Sequence, residues 1–253
     1  MKDVIYLDYN ATTPVLPEVL EEFNLYSAEY FANPSSAHVF GKFVRERLEE
    51  FRKKVAELIN AEPEEIVFTS GGTEANHLAL FGVAFSKERG HILVSAFEHP
   101  SILKPAVKLL EMGFKVDFIP VNSEGYIEPD EVKKRLKPDT ILVSVMMANN
   151  EIGTIQPVRE IAEICKEREI YFHTDACQAV GKVVVDVKEI GCSLLSVAGH
   201  KMYAPKGIGT LFIKKGVKIE PIFLGGGQEK ELRAGTESVS LIAVSYTHLR
   251  AHE

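Results

Sequence analysis

Apolar and polar positions follow two rhythms along this chain. Short runs rich in β-branched and other apolar residues occur at 65–69, 91–95, 115–121, 140–147, 170–174, 194–197 and 209–214. Their length and composition are those of buried strands. Between them lie segments with helical spacing. The clearest is 39–60, where Phe40, Phe43, Val44, Leu48, Phe51, Val55, Leu58 and Ile59 fall on one stripe. This alternation predicts an α/β fold with a mostly parallel seven-stranded sheet flanked by helices. Neither an internal repeat nor a low-complexity linker interrupts it. In open α/β sheets ligands bind beyond the carboxyl ends of the strands, so the residues just after each run are candidates for chemistry.

Four such places stand out. In Phe68-Thr-Ser-Gly-Gly-Thr-Glu-Ala-Asn76 a strand breaks at two glycines and enters a helix near Thr73. Gly72 lets the backbone approach an anion, free amides and the helix dipole bind it, and the Thr73 hydroxyl adds a donor. The plainer reading is a turn with Thr73 as N-cap. In Phe97-Glu-His-Pro-Ser101, His99 either lies against a ligand ring or caps the helix that Pro100 opens. In Ala148-Asn-Asn-Glu-Ile-Gly-Thr154, Asn150 either binds a ligand oxygen or belongs to an Asn-rich turn. In Thr174-Asp-Ala-Cys-Gln178, Asp175 ends an apolar strand, where a charge is costly unless a cation or several donors face it. A helix cap is the alternative for Asp175, and Gln178 shares its face if a helical turn starts there.

Lys201 follows the next strand in Ser196-Val-Ala-Gly-His-Lys-Met-Tyr-Ala-Pro-Lys-Gly207. An amine and a carboxylate at successive strand ends point to pyridoxal phosphate (PLP). The lysine can form a Schiff base with its aldehyde, and Asp175 can keep its pyridine nitrogen protonated. Otherwise Lys201 and Lys206 are solvated turn lysines around Pro205.

Composition narrows the setting. A net charge of −7 offers no basic surface for nucleic acid, and no window approaches a membrane span. The N-terminus lacks the apolar core of a signal peptide, so a cytoplasmic location is expected. Cys165, Cys177 and Cys192 are too few and too irregularly spaced for a disulfide framework or a thiolate metal site, and no metal is expected. Cys177, beside a strand end, reads as packing rather than as a nucleophile.

Together, Tyr6-Leu-Asp-Tyr-Asn-Ala-Thr-Thr-Pro14, Asn33-Pro-Ser-Ser-Ala-His38, Thr69-Ser-Gly-Gly-Thr-Glu-Ala-Asn76, Asn149-Asn-Glu-Ile-Gly153, Gly199-His-Lys201 and Arg233-Ala-Gly-Thr-Glu237 resemble the cysteine desulfurases of the class V, fold type I PLP-dependent family. The resemblance covers residues 1 to about 243. It implies that Lys201 carries PLP and Asp175 pairs with the pyridine nitrogen. By the same resemblance His99 stacks on the ring and helps move protons, Asn150 and Gln178 contact the phenolic oxygen, and Thr73 and His200 bind the phosphate. Thr236 would reach the phosphate site of a neighbouring subunit, which implies a homodimer. The implied reaction converts L-cysteine to L-alanine and passes the sulfur as an enzyme persulfide to an acceptor protein such as an iron-sulfur scaffold. A selenocysteine lyase, another class V aminotransferase or lyase, and a non-catalytic PLP-binding fragment are the alternatives.

Two departures follow. Ala198 stands where many relatives have a phosphate-binding serine. After Leu241-Ile-Ala243 the sequence no longer follows the family. The expected division is therefore residues 1–12 with a small domain, 13–243 as the large PLP-binding domain, and 244–253 as a tail foreign to the family. On this expectation the C-terminal small domain is missing, together with the loop holding the sulfur-accepting cysteine and the carboxylate-binding arginine. The chain would bind PLP but fail at the sulfur step.

Overall fold

The computed structural model describes residues 4–245. Residues 246–253 of the expected tail lie outside the described residues.

All seven expected strands form one sheet. They are β1 (Ile66–Thr69), β2 (His91–Ser95), β3 (Lys115–Ile119), β4 (Thr140–Ser144), β5 (Tyr171–Asp175), β6 (Leu194–Ala198) and β7 (Gly209–Ile213), in the order β1-β7-β6-β5-β4-β2-β3. Only β7 runs against the others, pairing antiparallel with both β1 and β6. Four strands, β1, β3, β4 and β7, are shorter than their apolar runs, β3 by two residues and β4 by three. Past Ser144 the chain still bonds β5, through Val145 N–H to His173 O and Met147 N–H to Asp175 O, before turning away.

The helices are α1 (Pro17–Ala28), α2 (Val39–Leu58), α3 (Gly72–Lys87), α4 (Pro100–Glu111), α5 (Pro129–Arg135), α6 (Val158–Lys166), α7 (Val187–Ile190) and α8 (Val239–Ala243). The long stripe becomes α2, which stops two residues early because Asn60 takes a positive φ of 55°. Its Val44, Leu48, Phe51 and Val55 are buried, while Phe40, Phe43 and Leu58 pack at the margin.

Strand alternation sorts the core into two layers. Leu93, Val143, Phe172, Leu195 and Phe212 face one side with α2 and α6. Their neighbours Ile92, Leu142, Leu194 and Leu211 face the other, against Leu78, Leu80 and Val83 of α3 and Ile102 and Leu109 of α4. Burying a large apolar side chain contributes about 1.5–3 kcal/mol, so these two layers fix the strand ends that carry the site.

A buried ion pair pins the 225–235 segment to this body. The guanidinium of Arg52 on α2 donates twice to Glu229, both at 2.7 Å, and to Ile66 O at 3.0 Å. Glu229 also accepts the Phe68 N–H at 2.8 Å. Glu229, Lys230 and Glu231 all adopt positive φ, so the segment turns sharply where the pair holds it. Among the described residues no helix is long and apolar enough to cross a membrane.

Candidate active site

A cavity of about 560 Å3 opens where β1, β2, β4, β5 and β6 end. Gly72, Thr73, His99, Asn150, Asp175, Gln178, His200 and Lys201 all line it. Thr236 does not; it is exposed on the segment that follows Glu229.

At one end, α3 begins. Its N-cap is Gly71, with φ +154°, and Thr73 is the second helical residue rather than the cap. The first N–H groups of a helix have no intrahelical acceptor, so this end presents donors and the positive pole of the dipole. Gly72 is required by contact: a Cβ there would come within 2.6 Å of Cys177 Sγ. Glu74, in the same first turn, would oppose an anion, but Arg233 donates to it at 2.7 Å and Ser70 N–H at 2.8 Å. Burial alone would raise the Glu74 pKa; these bonds outweigh it and hold the carboxyl below its ordinary range.

Asp175 ends β5 and is 5% exposed. It accepts from Asn76 Nδ2 at 2.7 Å and from Cys177 N–H at 2.9 Å. Two donors therefore support the charge, but among the described residues no cation forms an ion pair with it.

Lys201 lies in a single 3-10 turn, Gly199–Lys201, directly after β6. Its Nζ donates to Asn10 O and, at 2.9 Å, to Ala11 O. Gln178 Nε2 donates to Asn10 O at 2.9 Å, and Thr13 N–H and Oγ both donate to His200 O. The segment 10–13 is thus bonded to Gln178, His200 and Lys201, and its Ala11 and Thr12 line the cavity. Burial lowers the Lys201 pKa, against the pull of Cys177, Asp175 and Asp8. A neutral amine is a nucleophile and an ammonium is not, so this shift favours reaction with a carbonyl. Burial and the nearby Lys201 and Lys206 likewise lower His200.

His99 sits at the start of α4 and faces the cavity. It is the helix N-cap, its Nδ1 accepting from Ser101 N–H at 3.1 Å. In the Asn pair the tasks divide. Asn149 makes the turn, accepting from Glu151 N–H and Ile152 N–H, whereas the Asn150 side chain bonds none of the described residues and faces the cavity. Cys177 also lines it, but burial and Asp175 raise its thiol pKa well above the ordinary value. A nucleophilic thiolate is disfavoured there.

Sequence reasoning missed Asn76, Ser101 and Glu98. Asn76 carried one signal, a polar residue in line with Leu80 and Val83 on a buried helix face. Glu98, one residue before His99, is buried; its Oε1 accepts from Ser95 Oγ at 2.8 Å and from Met146 N–H. Burial, reinforced by Asp175, raises its pKa to about 8.

The chain matches the Aminotransferase class-V family over residues 5–250. It is 52% identical over 242 residues to a cysteine desulfurase IscS of Dictyoglomus turgidum, covering 95% of this chain and 61% of that protein. With the cysteine desulfurase IscS of Methanosarcina thermophila it shares 50% identity, covering 93% of this chain and 59% of the relative. The chain thus spans about three fifths of the length of these curated relatives. Among solved structures, a NifS-like protein superposes with a TM-score of 0.95 at 39% identity, covering 98% of this chain and 69% of the other. SspA, solved in complex with cysteine, gives 0.95 at 37%, covering 98% and 72%. A match that runs across nearly all of this sheet and its cavity places the chain in the aminotransferase class-V family.

Proposed function

We propose that this chain is the cofactor-binding part of a PLP-dependent cysteine desulfurase that releases L-alanine from L-cysteine and passes the sulfur on as an enzyme persulfide. The observation that carries the reading is one cavity faced by a lysine amine with a lowered pKa and by a buried, hydrogen-bonded aspartate without a cationic partner among the described residues. A protonated pyridine supplies the missing cation, an aldehyde suits the amine, and the start of α3 suits a phosphate, so the residues present fit PLP. The names of the relatives and the cysteine bound to SspA support the substrate.

When bound, PLP supplies an electron sink for the electrons of the substrate Cα–H bond. Lys201 would hold the cofactor through its aldehyde until the substrate amine takes its place, and the amine so freed would accept the Cα proton. Asp175, oriented by Asn76 and the Cys177 N–H, would keep the pyridine nitrogen protonated. His99 would cover the ring, and Asn150 and Gln178 would hold its phenolic oxygen. Gly72, Thr73 and His200 would hold the phosphate, with Thr236 serving the site of a second subunit in a homodimer. Residues 13–243 form the large domain on this reading. The sulfur-accepting thiol is none of the three described cysteines, because burial pushes Cys165 and Cys192 up to about 12 and holds Cys177 well above its ordinary value. An iron-sulfur scaffold is the proposed final acceptor.

The test is alanine release from L-cysteine by the complete protein, together with PLP uptake by this chain. Alanine with sulfide, in the presence of a thiol reductant, is expected. PLP uptake without alanine would redirect the assignment to another class-V reaction, and no uptake would overturn it.

Two smaller effects follow. Ala198→Ser places a hydroxyl in the cavity wall and is expected to lower the PLP Kd about fivefold, the equivalent of one net hydrogen bond of about 1 kcal/mol. Arg233→Ala leaves Glu74 charged beside the phosphate site and is expected to raise the PLP Kd by roughly fivefold to tenfold. Fluorescence titration with PLP reads both; an unchanged Kd would remove Ala198 or Arg233 from the phosphate end.

A further inference from the structure

His99 and Asp175 approach the cavity from different strand ends, yet a continuous run of hydrogen bonds joins them. Asn76 Nδ2 donates to Asp175 Oδ2 at 2.7 Å and to Ser101 Oγ at 2.9 Å. Ser101 Oγ lies 2.8 Å from His99 Nδ1, and the Ser101 backbone N–H reaches the same nitrogen at 3.1 Å.

The polarity of this run is determined by groups that have no choice. A carboxylate only accepts, so Asn76 must turn its NH2 toward Asp175; the flipped amide would set Oδ1 against the negative charge. The second Asn76 N–H then points at Ser101 Oγ, which accepts it and has its own proton left for His99 Nδ1. A backbone N–H only donates, so Nδ1 receives two donors and carries no proton of its own. The arrangement has a visible cost: Asn76 Oδ1 is buried without a hydrogen-bond partner among the described residues.

We infer that Asn76 and Ser101 are positioning residues that set the neutral His99 imidazole in the tautomer protonated at Nε2, with the Asp175 carboxylate as the origin of that choice. His99 therefore offers a hydrogen-bond donor rather than a lone pair at its remaining nitrogen. In the reaction proposed above, on which this consequence rests, His99 would orient groups over the ring and the Cα proton would go to the amine of Lys201. In that transfer the C–H bond would break, an N–H bond would form on Lys201, and the cofactor, when bound, would supply the sink for the electron pair.

The experiment is a long-range proton–nitrogen correlation spectrum of the full chain, without cofactor, with 15N-labelled histidine near neutral pH. His99→Gln assigns the signal. The wild-type ring is expected to be almost wholly the Nε2–H form. Ser101→Ala and Asn76→Ala are expected to raise the Nδ1–H fraction several-fold, and Ser101→Thr, which keeps the hydroxyl, to restore the wild-type balance. A wild-type ring protonated mainly at Nδ1 would overturn the inference. So would a balance unmoved in Ser101→Ala, which would leave the backbone N–H alone in control. If Asn76→Ala does not fold, the two Ser101 variants still decide. The spectrum requires neither PLP nor turnover, so a failure of the proposed function would appear separately, as absent PLP uptake.

Discussion

Lys201→Ala is expected to abolish covalent retention of PLP and to reduce alanine release by at least about 10²–10⁴-fold, the range lost with a positioned general base alone. The position of the amine sets this effect. Lys201 is carried by the single turn after β6, and the cavity wall also contains Lys206. The Lys201 pKa is lowered, by burial outweighing the pull of Cys177, Asp175 and Asp8. Borohydride reduction followed by peptide mass spectrometry reads the outcome directly. An adduct on the Lys201 peptide, lost in Lys201→Ala and kept in Lys206→Ala, is expected. An adduct on Lys206 would reverse the assignment.

Glu98→Gln is expected to flatten the pH dependence of stability and to make the chain more stable than wild type above about pH 8. The Glu98 carboxyl stays protonated up to about 8 in the folded chain, against an ordinary value of 4.5. Between these values the folded state keeps a proton that the unfolded state has released, so stability falls as pH rises. The contribution is fully present below pH 4.5 and is lost as pH passes 8, with a total on the order of 3–5 kcal/mol. Glutamine keeps the acceptor for Ser95 Oγ and Met146 N–H and has no charge to gain. His173 acts with the opposite sign: burial lowers it to about 4, so its contribution is lost as pH falls through that value. Comparing urea midpoints of the two proteins at about pH 5 and about pH 9 cancels His173 and isolates Glu98. Parallel profiles would show that the carboxyl ionises freely.

The seven strands were legible because each is a compact apolar run, and α2 because its stripe has a helical period. The reversal of β7 was not, since direction leaves no trace in a run such as Gly209–Ile213 that is buried throughout. Single-strand logic also located the cavity, because residues after successive parallel strands must gather at one end of a sheet. It could not locate Ser101 or Glu98, whose positions depend on atoms of β4, β5 and α3 that are distant in sequence. The contacts of segment 10–13 with Lys201 and Gln178 were equally hidden, because backbone carbonyls of Asn10 and Ala11 accept those bonds and any residue type supplies a carbonyl.

The Arg52–Glu229 pair also has a bearing on self-association. β1 is the outermost strand on its side, and its outward-facing Phe68 N–H and Ile66 C=O are taken by Glu229 and Arg52. Two side chains thus occupy positions that a neighbouring strand would otherwise fill. An open edge is a template on which another molecule can add a strand. Any event that draws Glu229 away would uncover that template, so a protein that loosens here should clump by edge pairing before its core melts.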